Sequence, residues 1–256
     1  MPTREYNRKI YNDTQYLLNI LSYGDLPPEL QRKQKRFVPE IEPQLIDYDQ
    51  ALFKKFFPNN KDINFRNLKL SNIGAYSITD PDTAQMISDI IKKFLDTPLT
   101  ITDATANMGG NSINFAQNFQ KVNSVEIIPK HCEILENNLK EYKLLDKVNI
   151  ICKDYLDVMM DIKQDVVFFD PPWGGKDYKR IHNMNLKLDE IDIIDIINAI
   201  KSVTKLVVLR VPFNYDIIGF LRRTDYDKVN IFKITGKNKF DPTKKHIRFY
   251  VIVVEK

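Results

Sequence analysis

The chain has 256 residues, 43% of them hydrophobic, a formal charge of +4 and a pI near 8.8. No apolar run approaches the ~18 residues of a membrane span, and two cysteines with three histidines at irregular spacing exclude a zinc or iron–sulfur site. The mild basicity permits a nucleic-acid partner without demanding one.

Residues 1–65 read as a small helical extension. Tyr16, Leu17, Ile20 and Leu21 fall at helical spacing, Pro27-Pro28 opens a basic run over Gln31–Arg36, and Leu45 to Phe57 is amphipathic. From residue 66 to 256 the pattern changes. Asp80-Pro81 starts a helix to about Leu95, with Pro81 suited to a first helical position. Strands are predicted at 99–103, 122–127, 147–152, 165–170 and 205–211. Helices alternate with them near 111–119, 129–142, 189–202 and 213–223. Two strands close the chain, about 228–235 and 246–254, around a Lys-rich loop. Such alternation makes a parallel sheet covered by helices on both faces. With its antiparallel finish it resembles the α/β class I methyltransferase fold, a seven-stranded Rossmann-like sheet whose last strand runs backwards.

Two stretches carry chemistry. Asp103 ends the first strand, and Ala104-Thr105-Ala106-Asn107-Met108-Gly109-Gly110-Asn111 leads into a helix. A strand–turn–helix crossover there is where nucleosides lie, and glycines let backbone approach the ligand. The loop is neither a dinucleotide fingerprint nor a Walker loop. Glu126 ends the second strand, where an acid can bind ribose hydroxyls, and Asp154 follows the third, where an acid can accept from an adenine amine.

The second stretch is Asp170-Pro171-Pro172-Trp173-Gly174-Gly175, after the apolar run Asp165–Phe169. An exocyclic amine on a purine is a poor nucleophile because its lone pair is conjugated with the ring. Acceptors that hold its hydrogens out of plane free that lone pair. Asp170 can supply a carboxylate oxygen and Pro171 a carbonyl on a stiff backbone. Trp173, the only tryptophan, offers a stacking face.

These blocks resemble the RNA cap guanine-N2 methyltransferases, the trimethylguanosine synthase family, over roughly residues 68–256. The similarity lies in Gly109-Gly110-Asn111-Ser-Ile-Asn-Phe-Ala116, in Glu126-Ile-Ile-Pro-Lys130 with Asn137-Asn138, and in Gly74-Ala-Tyr-Ser-Ile-Thr79. It lies above all in Pro171-Pro-Trp-Gly-Gly175 with the trailing Tyr178. The resemblance implies S-adenosylmethionine as cofactor and 7-methylguanosine-capped RNA as partner, with no metal and no membrane. It implies cofactor contacts at Asp103, Thr105, Gly109, Asn111, Glu126, Asp154 and Asp170, and catalysis at Asp170, Pro171 and Trp173. The charged base would stack on Trp173 with a cation–π component, which would make prior N7 methylation a requirement. Lys176, Lys179 and Arg180 are the first choice for the cap triphosphate, with Arg32–Arg36 second. Tyr76 could close over the base or cofactor, and Asn138 is either a base-edge reader or a helix C-cap.

Two residues depart from the family pattern. Asp170 stands where the family has Ser, and Ala106-Asn107 where it has Cys-Gly, although Asn tolerates a left-handed backbone. Asp at the ledge is found in adenine-N6 and ribosomal guanine-N2 enzymes, so those remain alternatives, as does a catalytically silent cap-binding module. The short chain looks like a compact viral or protist member. A monomer is expected, in a reducing compartment, nucleus or cytoplasm, or host cytoplasm if viral.

Overall fold

The computed structural model describes residues 42–95, 99–237 and 245–256. The helical spacing at Tyr16, Leu17, Ile20 and Leu21, the basic run Arg32–Arg36 and most of the Lys-rich loop lie outside the described residues. The elements in chain order are α1 (Gln50–Phe56), α2 (Pro81–Ile91), β1 (Thr100–Asp103), α3 (Gly110–Asn118), β2 (Lys121–Val125), α4 (Pro129–Glu141), β3 (Val148–Ile151) and β4 (Val166–Phe169). They continue as β5 (Lys187–Leu188), β6 (Ile191–Asp192), α5 (Ile193–Ala199), β7 (Leu206–Pro212), α6 (Ile217–Arg223), β8 (Lys228–Lys237) and β9 (Lys245–Glu255).

Seven strands form one sheet in the order β3-β2-β1-β4-β7-β9-β8, and β5 pairs with β6 in a small hairpin. The central strands β3, β2, β1 and β4 pair in parallel. The final strand β9 inserts between β7 and β8, antiparallel to both. This is the reversed last strand that the sequence predicts. The described chain divides into two compact units, one ending at Phe168 and the other running from Phe169 to Lys256.

In the first unit the parallel strands are largely buried, but β1 and β2 set apolar residues beside buried polar ones, Thr102, Asn123 and Ser124, and only β4 is apolar throughout. Ile101, Val122 and Val125 are buried, and Phe115 of α3 meets Phe168 edge-on at 5.4 Å. Each such side chain contributes roughly 1.5–3 kcal/mol on burial. Asp80 caps α2 by accepting the Thr83 N–H at 3.0 Å, and Pro81 occupies its first turn. The described part of the N-terminal extension belongs to this unit. Its α1 buries Phe53 and Phe56, and Leu45 bridges to Ser71.

In the second unit two helices start later than the sequence predicts, and the cause is capping. Asp192 accepts the Ile194 N–H at 2.9 Å, so α5 begins at Ile193 and not at 189. The residues before it form the β5–β6 hairpin, turned at Asp189, whose φ is 52°. Asp216 likewise accepts the Gly219 N–H at 2.9 Å and starts α6 at Ile217. An aspartate whose oxygen takes an early orphan N–H fixes a helix start more strongly than apolar spacing does.

Gly110 opens α3 against the chain at Ile78-Thr79. A Cβ there would lie 2.6 Å from the Thr79 carbonyl oxygen and 2.9 Å from its nitrogen. Backbone atoms cannot swing aside as a side chain would. Gly110→Ala is therefore expected to cost on the order of 1–3 kcal/mol, read as a lower midpoint in chemical denaturation. An unchanged midpoint would mean that the Ile78-Thr79 backbone yields to a methyl group.

Candidate active site

The first unit holds the nucleoside-type residues. Asp103 is fully buried, and its Oδ2 accepts the Ser112 hydroxyl at 2.7 Å. Ser112 in turn accepts the Ser124 hydroxyl at 2.8 Å. This chain fixes the carboxylate at the end of β1. Thr105 and Asn107 follow, half-buried. Asn107 takes a left-handed φ of 50° and Gly109 one of 101°. The Asn in place of the family's Gly thus keeps the turn, as expected of a short polar side chain.

Glu126, at the end of β2, receives the Asn107 N–H on Oε2 at 2.7 Å and the Ile128 N–H on Oε1 at 2.9 Å. Burial pushes its carboxyl up to about 7, against the pull of those backbone donors. Burial also lowers His131, on α4, to about 4, so its ring is neutral near pH 7. Ser71 Oγ accepts the Gly74 N–H at 2.9 Å and shares a hydrogen bond with His131 Nε2, also 2.9 Å away. The other ring nitrogen, Nδ1, lies 3.8 Å from Glu126 Oε1.

The Gly74–Thr79 segment lies against the loop after β1. The Asn107 amide donates to Ser77 at 3.0 Å, the Asn111 amide donates to Thr79 at 3.0 Å, and the Ser71 N–H meets Met108 Sδ at 3.1 Å. Tyr76 stands out from this segment, 78% exposed, and is not a core aromatic. Asp154, after β3, accepts the Leu156 N–H at 3.0 Å and so caps a 3-10 turn.

Asn138 requires a correction. It is fully buried in α4, donates to the Lys69 and Met108 carbonyls at 3.0 and 3.1 Å, and accepts the Lys69 N–H at 2.9 Å. Its amide is spent on backbone, so it does not read a base edge. Nor does it cap α4, which continues to Glu141. The cysteines bring a second difference. Cys132 of α4 and Cys152, just past β3, are joined by a disulfide with Cα atoms 5.9 Å apart. Their separation of 20 residues gave no sign of this pairing.

The second unit holds the ledge. Asp170 leaves β4, Pro171 is buried, Trp173 is half-buried, and Gly174 and Gly175 take positive φ into open space. The Trp173 ring meets Tyr178 edge-on at 5.3 Å. Asn214 donates to the Tyr178 and Ile181 carbonyls at 2.8 and 2.6 Å and so anchors the 3-10 segment Gly175–Arg180. From β7, Arg210 Nη1 reaches Asp170 Oδ2 at 2.6 Å. Of these residues Trp173, Tyr178 and Arg210 line a cavity of about 600 Å³, whose walls also include Phe213, Arg248 and Phe249; Asp170 meets it through its partner Arg210. Lys179 and His246 also line it. The size suits a nucleotide-like ligand. Aromatic rings around cations suit a planar base that carries phosphates. Arg180 is exposed and is not part of this wall, and the Lys176 side chain lies outside the described residues.

A family model described as RNA cap guanine-N2 methyltransferase matches residues 99–242. The chain belongs to that family.

Among curated relatives, the chain is 38% identical over 165 residues to an uncharacterized protein of Acanthamoeba polyphaga mimivirus, covering 62% of this chain and 59% of that one. It is 26% identical over 159 residues to the trimethylguanosine synthase of Saccharomyces cerevisiae (58% and 50% covered). It is 33% identical over 118 residues to that of Schizosaccharomyces pombe (43% and 48% covered). The chain thus spans about half the length of the relatives it matches. Among solved structures, a precorrin-6y C5,15-methyltransferase from Geobacter metallireducens superposes with a TM-score of 0.51 at 20% identity, over 70% of this chain and 90% of that one. A SAM-dependent O-methyltransferase from Thermotoga maritima gives 0.51 at 14% identity, over 70% and 66%. These likenesses establish the class I methyltransferase fold.

The cofactor of this family and fold is S-adenosylmethionine, and the residues present fit it. The Asn111 Oδ1 is buried without a hydrogen-bond partner among the described residues. Glycines 109 and 110 keep side chains out of the turn, and acids stand at three strand ends. The cavity-lining residues that sequence reasoning missed are Arg210, Phe213, Arg248 and Phe249. One signal was available for Arg210: an arginine inside the otherwise apolar Leu206–Pro212 strand needs a buried partner. Among the described residues no cluster of His, Cys, Asp or Glu could hold a metal, and no helix is long and apolar enough to cross a membrane.

Proposed function

We propose that this chain methylates the exocyclic N2 of a 7-methylguanosine RNA cap. The observation that carries the reading is that Trp173, the last residue of the Asp170–Trp173 ledge, lines an aromatic cavity with cations in its walls. When bound, S-adenosylmethionine supplies an electrophilic methyl group. Glu126 accepts from its ribose hydroxyls, and Asp154 and Asp103 serve the rest of the nucleoside and the amino-acid end. Asn111, Thr105 and Gly109 shape the turn around it.

Trp173 stacks the guanine and fixes its plane. Asp170 and the Pro171 carbonyl hold the N2 hydrogens and turn the lone pair outward. Held by these residues, the cofactor would supply its methyl group to N2 and would leave as the neutral thioether. The cationic amine then loses its proton to water, with Asp170 as first acceptor. Most of the rate comes from orientation, and the acceptors gain strength as positive charge builds on N2. Lys179 and Arg248 meet the cap phosphates, and Tyr76 closes over the cofactor.

The test is mass spectrometry of the product made from 7-methylguanosine triphosphate and S-adenosylmethionine. The expected result is a gain of one or two methyl groups on N2. No methylation of the 7-methylated nucleotide, with methylation of an adenine or an unmodified guanine in RNA instead, would overturn the reading.

A further inference from the structure

Arg210 sits inside β7 with its side chain 15% exposed, and its partner Asp170 is 10% exposed. Burying a guanidinium in a strand is costly unless it is paired. The Asp170 carboxylate at 2.6 Å meets that need. Pairing alone does not call for aromatic rings. Yet the guanidinium carbon lies 5.0 Å from the Trp173 ring centre and 4.6 Å from that of Phe249. The ledge, the stacking ring and the wall from β9 therefore share one cation.

That cation bears on which base the site prefers. An indole that already faces a guanidinium has its electron density drawn toward it, so a second cation on the same ring gains less. Asp170, the nearest counter-charge, is engaged with Arg210. A free carboxylate beside an open indole would select strongly for a positively charged 7-methylated guanine. In the observed pair Arg210 offsets part of that selection. Resting on the proposed base site, we propose that Arg210 is a specificity-determining residue that narrows the preference for 7-methylated over unmethylated guanine. Lys179, Arg248 and His246 act on the phosphates, which both nucleotides carry alike, so their effect cancels in the comparison.

Trp173 is the only tryptophan in the chain, so its fluorescence reports stacking at this ring directly. The experiment measures quenching by 7-methylguanosine triphosphate and by guanosine triphosphate in wild-type protein, Arg210→Gln and Asp170→Asn. The affinity ratio of the methylated to the unmethylated nucleotide should rise about three- to fivefold in Arg210→Gln. It should fall in Asp170→Asn, where the guanidinium loses its counter-charge. A purely structural role would weaken both nucleotides equally and leave the ratio alone. An unmoved ratio in a folded Arg210→Gln protein overturns the proposal while leaving the base site intact. If Arg210→Gln alone does not fold, the double variant Asp170→Asn/Arg210→Gln, which removes the buried pair together, decides: a ratio above that of Asp170→Asn alone supports the proposal and an equal one overturns it. Absence of quenching by either nucleotide in wild-type protein overturns the base site itself, and this inference with it.

Discussion

Replacing Trp173 with alanine is expected to remove methyl transfer to the cap nucleotide while leaving S-adenosylhomocysteine binding within about twofold. The ring stands on the loop after β4, in contact with Tyr178 and Arg210, and not in the sheet core. Its stacking is worth ~1–3 kcal/mol to a bound base, which alone is up to about a hundredfold in affinity. A base that is bound but unstacked also loses the alignment of its amine, so kcat/KM should fall on the order of a hundredfold or more. Turnover assays and calorimetry on the same preparation separate these effects. Loss of cofactor binding together with turnover would make Trp173 a structural residue, and retained turnover would move the base elsewhere.

The second large effect concerns Glu126. In the unliganded protein burial holds its carboxyl near 7, well above its ordinary 4.5. Ribose hydroxyls donate hydrogen bonds, so they favour the ionised form. Below pH 7 binding must expel a proton, and cofactor affinity should fall by about tenfold per pH unit as the pH drops, with a plateau above 7. His131 stays neutral across that window because burial holds it near 4. On folding the same shift has the opposite consequence. Between pH 4.5 and about 7 the folded chain keeps a proton that the unfolded chain has released, so stability declines as pH rises through that range.

Glu126→Gln should flatten the pH dependence of binding and lower affinity at pH 8 by about ten- to a hundredfold, as loss of charge-assisted hydrogen bonds implies. Its amide nitrogen would also face a backbone donor, since Asn107 and Ile128 each present an N–H to one carboxylate oxygen. Calorimetric titrations from pH 6 to 8 check this. A flat wild-type profile would exclude Glu126 as the ribose ligand.

Much of the architecture was legible in the sequence because it rests on local rules. The alternation of apolar strands with amphipathic helices gave the sheet, and residues 99–103 and 165–170 were placed within a residue of the observed strands β1 and β4. The helices that were set too early, α5 and α6, failed where apolar spacing ran on through an aspartate cap. Asn138 was misread for another reason. Nothing in Asn137-Asn138 says which amide turns inward, and the choice was made by the Lys69 and Met108 backbone, brought alongside from 69 and 30 residues away.

By itself the sequence determined the fold class, the glycine turn after β1, the acids at three strand ends and the aromatic ledge. Each is written in a short stretch whose backbone preferences act within a few residues. Only the tertiary structure decided what those residues face. It joined Cys132 to Cys152, gave Glu126 its buried setting, and supplied the ledge with walls from β7 and β9. Asp170, the residue that departs from the family's Ser, is explained at the same level. Its partner Arg210 lies 40 residues away and reaches it only because the two side chains are buried together, where an unpaired charge would be too costly to keep.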